Sequence, residues 1–307
     1  MKSKSDHIKP PMRDGVSASQ VFLPQLSQTD IHIQTIFDFL CQHFPHISTD
    51  EWAKRFDNQL VFNALNQVLT RDTPYQSEQH IYYYRQLAHE VEVPFVHEIL
   101  FENEHFMVVD KPHFLTVSPT GQYVQQTLLT RLKYETENPE LSPIHRLDRE
   151  TAGLILFSKK SETRHLYQQL FADRQVEKIY HAIAPFNQHL QFPLEFKAHL
   201  TKGEPFYTMQ IIEGKLENSC TMINLLEVQN DWAKYELKPI TGKQHQLRLH
   251  MNALGLPLKN DQFYPKIKHT DKSDFSQPLQ LLAKSICFVD PISGKPMSFH
   301  SNQQLTF

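Results

Sequence analysis

The segment with the clearest chemical potential is HRLDRETAG at residues 145–153, a charged loop that leads into the apolar run LILF. Asp148 lies between Arg146 and Arg149. Nearby positive charges favour the ionised form of a carboxylate, and an ionised, positioned carboxylate can act as a nucleophile or a base. The same residue types also form purely structural ion-pair clusters, so the segment alone leaves both interpretations open.

A second segment, TGKQHQLRLH at residues 241–250, combines polar side chains with helical periodicity. Thr241 and Gln244 have the spacing of a capping box and Gly255 is a typical stop, so the pattern predicts a helix over residues 242–254. Arg248 would lie one turn after Gln244. The positive end of this helix could then face an anion.

The chain lacks the sequence features of common cofactor and metal sites. It has 307 residues and only eight glycines, the closest pair being Gly203 and Gly214, which excludes a P-loop and a dinucleotide-binding loop. It has no Cys-x-x-Cys motif, and the spacing of His245 and His250 is poor for a shared metal on a helix. We therefore expect no nucleotide cofactor and no metal, and histidines of this kind more often pack or lie at the surface.

Charge and apolar content limit the class of protein. The net charge is −3, which argues against a uniformly basic nucleic-acid-binding surface, although residues 175–307 carry 14 basic and 12 acidic side chains. Lysines at 259, 266, 268 and 272 are either a solvated surface or an edge that follows phosphates. The three separated cysteines suit reduced thiols, and no apolar run approaches the roughly 18 residues of a membrane span. We expect a cytoplasmic, monomeric protein.

The pattern of apolar residues predicts an irregular arm at 1–30, a small module at 31–90 and a larger domain at 91–307, with a linker near 86–96. In the module we expect two helices and two short strands. The order of strands in the larger domain predicts an α+β fold with a largely antiparallel sheet. The predicted elements there are a hairpin of 99–101 with 105–109, a strand at 154–157, a helix capped by Ser161, and strands at 178–184, 206–212, 221–228 and 233–238.

Five segments in this order resemble the RluA family of RNA pseudouridine synthases, over about residues 95–300. Residues 35–85 resemble a degenerate version of the S4 RNA-binding module that often precedes this domain. The matching segments are DKP at 110–112, HRLDRETAGLILFSK at 145–159, KIYHA at 178–182, TGKQHQLRLH at 241–250 with Asn260-Asp261 after it, and LLA at 281–283 with Phe288, Pro291 and Gly294.

The departures from the family pattern are small. Lys243 stands where the family usually has Arg, Asn260 where it usually has Gly, and Ser118 where His is frequent. Lys243 keeps the charge but loses the planar fork of a guanidinium, so its contacts to RNA could differ.

The resemblance implies a reaction and a substrate. A uridine in ribosomal or transfer RNA would be flipped out of its stack, its N-glycosidic bond broken, and the base turned and rejoined through carbon. This isomerisation requires neither a metal nor a redox cofactor. A catalytically silent RNA-binding or ribosome-assembly protein of the same fold is the alternative. A hydrolase that uses a histidine with Asp148 lacks a supporting motif.

The resemblance also implies roles for single residues. Asp148 would attack or deprotonate the nucleoside, whether at the base, at the sugar or by elimination. Arg248 would pair with Asp148, and Tyr180 would stack on the base and could relay a proton. Arg146 would fill the space that the uridine leaves. The other residues expected to contact substrate are His145, Arg149, Lys243, Gln244 and His245.

Overall fold

A computed structural model describes residues 9–27, 30, 32–85, 87 and 89–307. The chain forms two compact units. The first comprises residues 1–90 with 121–125 and 130–139, and the second comprises 91–120, 126–129 and 140–307. Two short segments beyond residue 120 therefore belong to the first unit, which sequence reasoning did not anticipate. Part of the predicted linker, at 86 and 88, lies outside the described residues.

The first unit combines a three-stranded antiparallel sheet with short helices. Its elements are β1 (Ser19–Leu23), α1 (Ile36–His43), α2 (Thr49–Asp57), β2 (Val61–Asn63), β3 (Gln79–Tyr83) and most of α3 (Leu128–Thr136), and the strand order is β1-β3-β2.

Local sequence signals explain the first two helices. Thr35 and Ser48 each begin a helix with a reciprocal capping box, completed by Asp38 and Glu51. Both predicted helices are confirmed. Their apolar faces cover a core around Trp52, which is fully buried.

One prediction for this unit is wrong. Residues 1–30 were expected to be irregular; of these, 1–8, 28 and 29 lie outside the described residues, but β1 pairs along its whole length with β3. Val21 and Leu23 alternate into the core of the unit, so a polar lead-in conceals a half-buried strand. The S4-like nature of this unit stays a prediction.

The second unit is built on a ten-stranded sheet with the order β4-β5-β7-β14-β8-β13-β12-β9, to which β15 and β6 add at β14 and β7. Only β7 and β14 pair in parallel among the described strands of this sheet. The predicted α+β class and largely antiparallel sheet are confirmed. The strands are β4 (Glu98–Glu102), β5 (Phe106–Lys111), β6 (Ser142–Pro143), β7 (Ala152–Ser158), β8 (Glu177–Pro185), β9 (Leu194–Ala198), β10 (Leu200–Lys202), β11 (Met209–Ile211), β12 (Ser219–Gln229), β13 (Trp232–Pro239), β14 (Leu281–Val289) and β15 (Pro296–His300), and the helices are α4 (Ser161–Ala172) and α5 (Gln246–Ala253).

The predicted strands of this unit are confirmed, except that β11 is much shorter than 206–212, and β10 and β11 form a separate hairpin. Helix α4 is also confirmed, but Ser161 is its first residue. The N-cap is Lys160, and the Ser161 N–H donates to the Glu140 carboxylate at 2.6 Å. None of the helices in the described ranges is long and apolar enough to cross a membrane.

The sheet brings two candidate site segments side by side. Ala283 of β14 pairs with Gly153 at the start of β7 and with Tyr180 of β8. Gly153 has a φ of +107°, and a Cβ there would lie 2.3 Å from the Ala283 carbonyl oxygen. Only glycine therefore permits this close parallel pairing directly after the charged loop.

Replacing Gly153 by alanine should lower the free energy of unfolding by about 2–4 kcal/mol, because the new methyl meets rigid backbone atoms at a positive φ. Urea unfolding followed by circular dichroism measures this change. Gly214→Ala is the matched control: Gly214 also has a positive φ, of +73°, but nothing lies within 4 Å of its Cβ position. It should cost only the left-handed penalty of about 1 kcal/mol. Equal losses in both variants would contradict the close-approach argument.

Candidate active site

A cavity of about 990 Å³ lies in the second unit. Its walls include part of the loop at residues 145–151, here called the aspartate loop, part of β8 and the segment that leads into α5. The cationic side chains in its lining outnumber the carboxylates by six to two. The cations are Arg146, Arg174, Lys178, Lys238, Lys243 and Arg248, and the carboxylates are Asp148 and Glu177.

Asp148 reaches the cavity because two side chains, one at the end of β5 and one just after it, hold the backbone of its loop. The Lys111 ammonium donates to the carbonyl of Arg149 at 3.2 Å and to two carbonyls of its own turn. The His113 ring contacts the carbonyl of Glu150 at 2.7 Å. Burial lowers the pKa of Lys111 to about 7 and that of His113 to about 4. The Asp-Lys-Pro segment and His113 thus hold the backbone of the aspartate loop.

Arg248 points toward Asp148 but is hydrogen-bonded elsewhere. Its Nε and Nη2 donate to both carboxylate oxygens of Asp261 at 2.8 and 2.6 Å, and both side chains are almost completely buried. Its Nη1 lies 3.8 Å from Asp148 Oδ2 and 3.9 Å from Glu150 Oε2, with no hydrogen-bond partner among the described residues. The expected pairing with Asp148 is therefore a close approach of charges, and Asp261 is the partner that fixes the guanidinium.

Burial alone would lower the pKa of Arg248, but the hydrogen bonds and charge of Asp261 raise it above its usual value. Asp261 also accepts the backbone N–H groups of Phe263 and Tyr264, at 2.8 and 3.1 Å. The cation facing Asp148 is therefore permanently charged and rigidly held.

The start of α5 differs from the predicted capping box. The helix begins at Gln246 rather than 242, and its N-cap His245 has a left-handed φ of 52°. The Gln246 side chain accepts from the Thr241 hydroxyl and the Lys243 N–H, and so closes the turn that the capping box was expected to form. The predicted stop is confirmed, with the helix ending at Ala253, two residues before Gly255.

His245 is a second group beside the carboxylate. Its Nε2 lies 3.8 Å from Asp148 Oδ2, and its Nδ1 is 2.8 Å from the Tyr264 hydroxyl. That hydroxyl also accepts the Met209 N–H, so its own proton is available for Nδ1. Burial lowers the pKa of His245, against the opposing effect of Asp148. A neutral ring with its proton on Nε2 would then face the carboxylate.

Tyr180 lies in the cavity lining with Asp148. Burial raises its pKa well above the usual value, and the Asp148 charge raises it further. The phenol therefore keeps its proton in neutral solution. It can present a ring face or donate a hydrogen bond, but it cannot serve as a phenolate base there.

The remaining predicted substrate contacts divide into two sets. Arg146 and Lys243 are exposed and line the cavity, and Gln244 lines it while half-buried. His145 lines it too, but its Nε2 accepts the Leu156 N–H at 3.1 Å, and burial lowers the pKa of its ring to about 4.

Arg149 is not among the lining residues. It lies over the Phe114 ring at 5.6 Å and 3.5 Å from the Glu150 carboxylate, so the structure does not bring it into the cavity with the others. A position beside Asp148 in the sequence does not determine the direction of its side chain.

Among the described residues, no group of three or more His, Cys, Asp or Glu side chains is placed to hold a metal ion. His250, considered above for its spacing from His245, is fully buried and lies 2.9 Å from both the Ser219 and the Thr221 hydroxyls.

Comparisons with known proteins identify the family of the chain. Residues 105–253 match the family model for RNA pseudouridylate synthases. The chain is 32% identical over 210 residues to the dual-specificity RNA pseudouridine synthase RluA of Haemophilus influenzae, covering 66% of this chain and 92% of that protein. It belongs to the RluA family of RNA pseudouridine synthases. The enzyme therefore isomerises uridine to pseudouridine in RNA.

The chain is also similar to a further relative in sequence and to a solved structure in fold. An uncharacterized RNA pseudouridine synthase of Synechocystis is 29% identical over 236 residues, which cover 75% of this chain and 79% of that one. The solved structure of human RNA pseudouridylate synthase domain containing 1 superposes with a TM-score of 0.55 at 23% identity, over 71% of this chain and 86% of its own. At that identity it shows a shared fold.

Sequence reasoning on this pseudouridine synthase missed residues whose importance depends on contacts. Asp261 and Lys111 were recognised only as members of matching segments. Lys178, whose pKa is lowered by burial, lines the cavity as an additional cation. The contact of Tyr264 with His245 was also not anticipated.

Replacing Asp261 by asparagine should lower turnover by on the order of a hundred-fold, because Arg248 would lose its bidentate anchor and shift relative to Asp148. Tritium release from RNA labelled at uridine C5 gives kcat and KM for the variant. The change in kcat should exceed that in KM, as it should for Arg248→Ala.

Asp290→Asn is the matched control, since Asp290 is also buried and hydrogen-bonded, to Tyr167 and Ser293, but does not line the cavity. It should lower thermal stability while leaving kcat unchanged. An Asp261→Asn enzyme that is less stable but turns over normally would show that Asp261 has only a structural role.

Proposed function

We propose that Asp148 is the carboxylate that opens the glycosidic bond of a flipped uridine in this enzyme, with the Arg248 guanidinium facing it at a fixed position. The observation that carries the proposal is the position of Asp148 in the cavity, 3.8 Å from the fixed guanidinium Nη1 and 3.8 Å from His245 Nε2. A carboxylate between a permanent cation and a neutral donor is kept available for attack or proton abstraction.

The overall reaction sets what these groups must do. The bond from C1′ to N1 of the uracil breaks, the base turns, and C1′ bonds to C5. N1 gains a proton, and the hydrogen on C5 leaves to solvent. Tyr180, which keeps its proton, would stack on the base and donate a hydrogen bond during the turn.

The cationic lining supports RNA binding at the cavity. Each phosphate neutralised by Lys or Arg releases counterions, so local positive charge matters more for affinity than the net charge of −3. Arg146 is exposed at the lining and is suited to fill the space that the uridine leaves when it flips. Lys243 and Gln244 would contact the flanking backbone.

We further propose that the substrate is ribosomal RNA and that the enzyme acts as a cytoplasmic monomer. We favour ribosomal RNA over transfer RNA because the sequence of the small first unit resembles a degenerate S4 RNA-binding module. Transfer RNA is the other candidate substrate.

Asp148→Asn should lower tritium release from RNA labelled at uridine C5 by on the order of a thousand-fold or more, because the amide cannot replace the carboxylate in attack or proton abstraction. RNA affinity, measured by filter binding, should persist. Asp231→Asn, at an exposed turn outside the cavity, is the matched control and should behave like wild type. Equal release by all three proteins would remove Asp148 from the mechanism.

Deleting the gene should remove pseudouridine from specific positions of ribosomal RNA and leave transfer RNA unchanged. Sequencing-based pseudouridine mapping of total RNA from the deletion strain and its parent measures this directly. A strain complemented with the Asp148→Asn variant should lack the same sites. Loss of sites in transfer RNA alone would reverse the proposed target.

A further inference from the structure

The hairpin of β10 and β11 ends in two exposed aromatic residues. Phe206 is 83% exposed and Tyr207 is 37% exposed, and together they are here called the aromatic tip. A large apolar ring left in water forgoes the free energy of burial, and exposed apolar groups that adjoin a functional site often mark a contact surface.

The aromatic tip stands on a tightly hydrogen-bonded turn. The Gly203 N–H donates to the Thr208 carbonyl at 3.0 Å, and both the N–H and the hydroxyl of Thr208 donate to the Pro205 carbonyl at 2.8 Å. Thr208 is buried beneath the turn. The two rings are therefore presented by a preformed backbone, which lowers the entropic cost of binding a ligand on them.

The hairpin is also tied to the active site. The Met209 N–H donates to the Tyr264 hydroxyl at 2.9 Å, and that hydroxyl lies 2.8 Å from His245 Nδ1. His245 in turn faces Asp148 at 3.8 Å. One short chain of contacts thus joins the aromatic tip to the proposed catalytic carboxylate.

A continuous series of aromatic rings also leads from the aromatic tip to His245. Centroids of Phe206 and Tyr207 are 5.6 Å apart, those of Tyr207 and Phe263 are 5.6 Å apart, and those of Phe263 and His245 are 5.5 Å apart. The Arg248 guanidinium lies 4.7 Å from the Phe263 ring centroid. The aromatic surface thus begins at a residue of the cavity lining and ends in solvent at Phe206.

We propose that the aromatic tip stacks on a base of the single-stranded RNA that flanks the target uridine. This inference rests on the activity of the enzyme on RNA. A flipped uridine stays covalently joined to its neighbours, so the flanking nucleotides must pass near the cavity, and flipping deprives them of a stacking partner. Exposed aromatic rings replace that partner for any base, because every base has a π-face.

Other occupants fit the aromatic tip less well. A stable interface with a second copy of the chain buries about 1,200–2,000 Å², far more than two rings provide. An RNA strand needs no such area, because it is held at the cationic cavity as well. Continuity with that cavity is what favours a base as the occupant.

The first test separates binding from chemistry. Phe206→Ala should raise KM for tritium release by about five-fold to a hundred-fold through loss of stacking, with kcat changed by less than about two-fold. Phe206→Tyr should keep the KM of the wild type. Phe206→Leu, which keeps apolar volume but not the flat ring, should raise KM as Phe206→Ala does. Leu216→Ala, which removes an equally exposed apolar side chain, is the matched control and should match wild type.

The second test locates the base without requiring turnover. A short oligouridylate carrying one 5-iodouridine, irradiated with the Asp148→Asn enzyme, should crosslink to the peptide that contains residues 203–209, and Phe206→Ala in the same background should abolish this crosslink.

The inference is overturned if crosslinks form only at other peptides, or if Phe206→Ala leaves KM unchanged. The inference is also overturned if light scattering shows that the wild type is a dimer, and that Phe206→Ala dissociates this dimer while its RNA affinity stays intact. If the wild type releases no tritium from any RNA, the activity itself fails, which is a separate result.

Discussion

The buried pair of Arg248 and Asp261 is the interaction on which the site depends. Removing two charges from water is costly, and the pair is tolerated because its geometry is bidentate and Asp261 accepts two further backbone N–H groups. Two of the three guanidinium nitrogens of Arg248, Nε and Nη2, therefore donate hydrogen bonds to Asp261. The third, Nη1, remains directed at Asp148 and Glu150. A rigid cation is thus presented to the carboxylate without being neutralised by it.

On the opposite side of the site, side-chain contacts to backbone carbonyls position the aspartate loop. Buried Lys111 and half-buried His113 hold the carbonyls of the aspartate loop, and Gly153 permits the parallel approach of β7 to β14 directly behind it. The loop and the guanidinium come from distant parts of the chain, and the sheet brings them to one cavity. Preorganisation of this kind avoids the cost of arranging charged groups during the reaction.

The sequence predicted correctly those helices and strands whose formation depends on residues close together along the chain. Helices α1 and α2 and the apolar run of β7 were readable because the periodicity of apolar residues acts within a few residues. Helix α5 was predicted to begin too early, because Gln246 satisfies the turn from within the helix and also bonds to β12. Strand β1 was missed since its partner β3 lies more than fifty residues away along the chain.

The sequence by itself determined the family, the reaction and the proposed catalytic carboxylate, because ordered motifs preserve residue types and their spacing. Only the tertiary structure decided which groups surround Asp148. It gave Arg248 the partner Asp261, turned Arg149 away from the cavity, and gathered six cations around two carboxylates in a chain of net charge −3. The physical reason is that burial, hydrogen bonding and local potential depend on neighbours in space, which residue order does not specify.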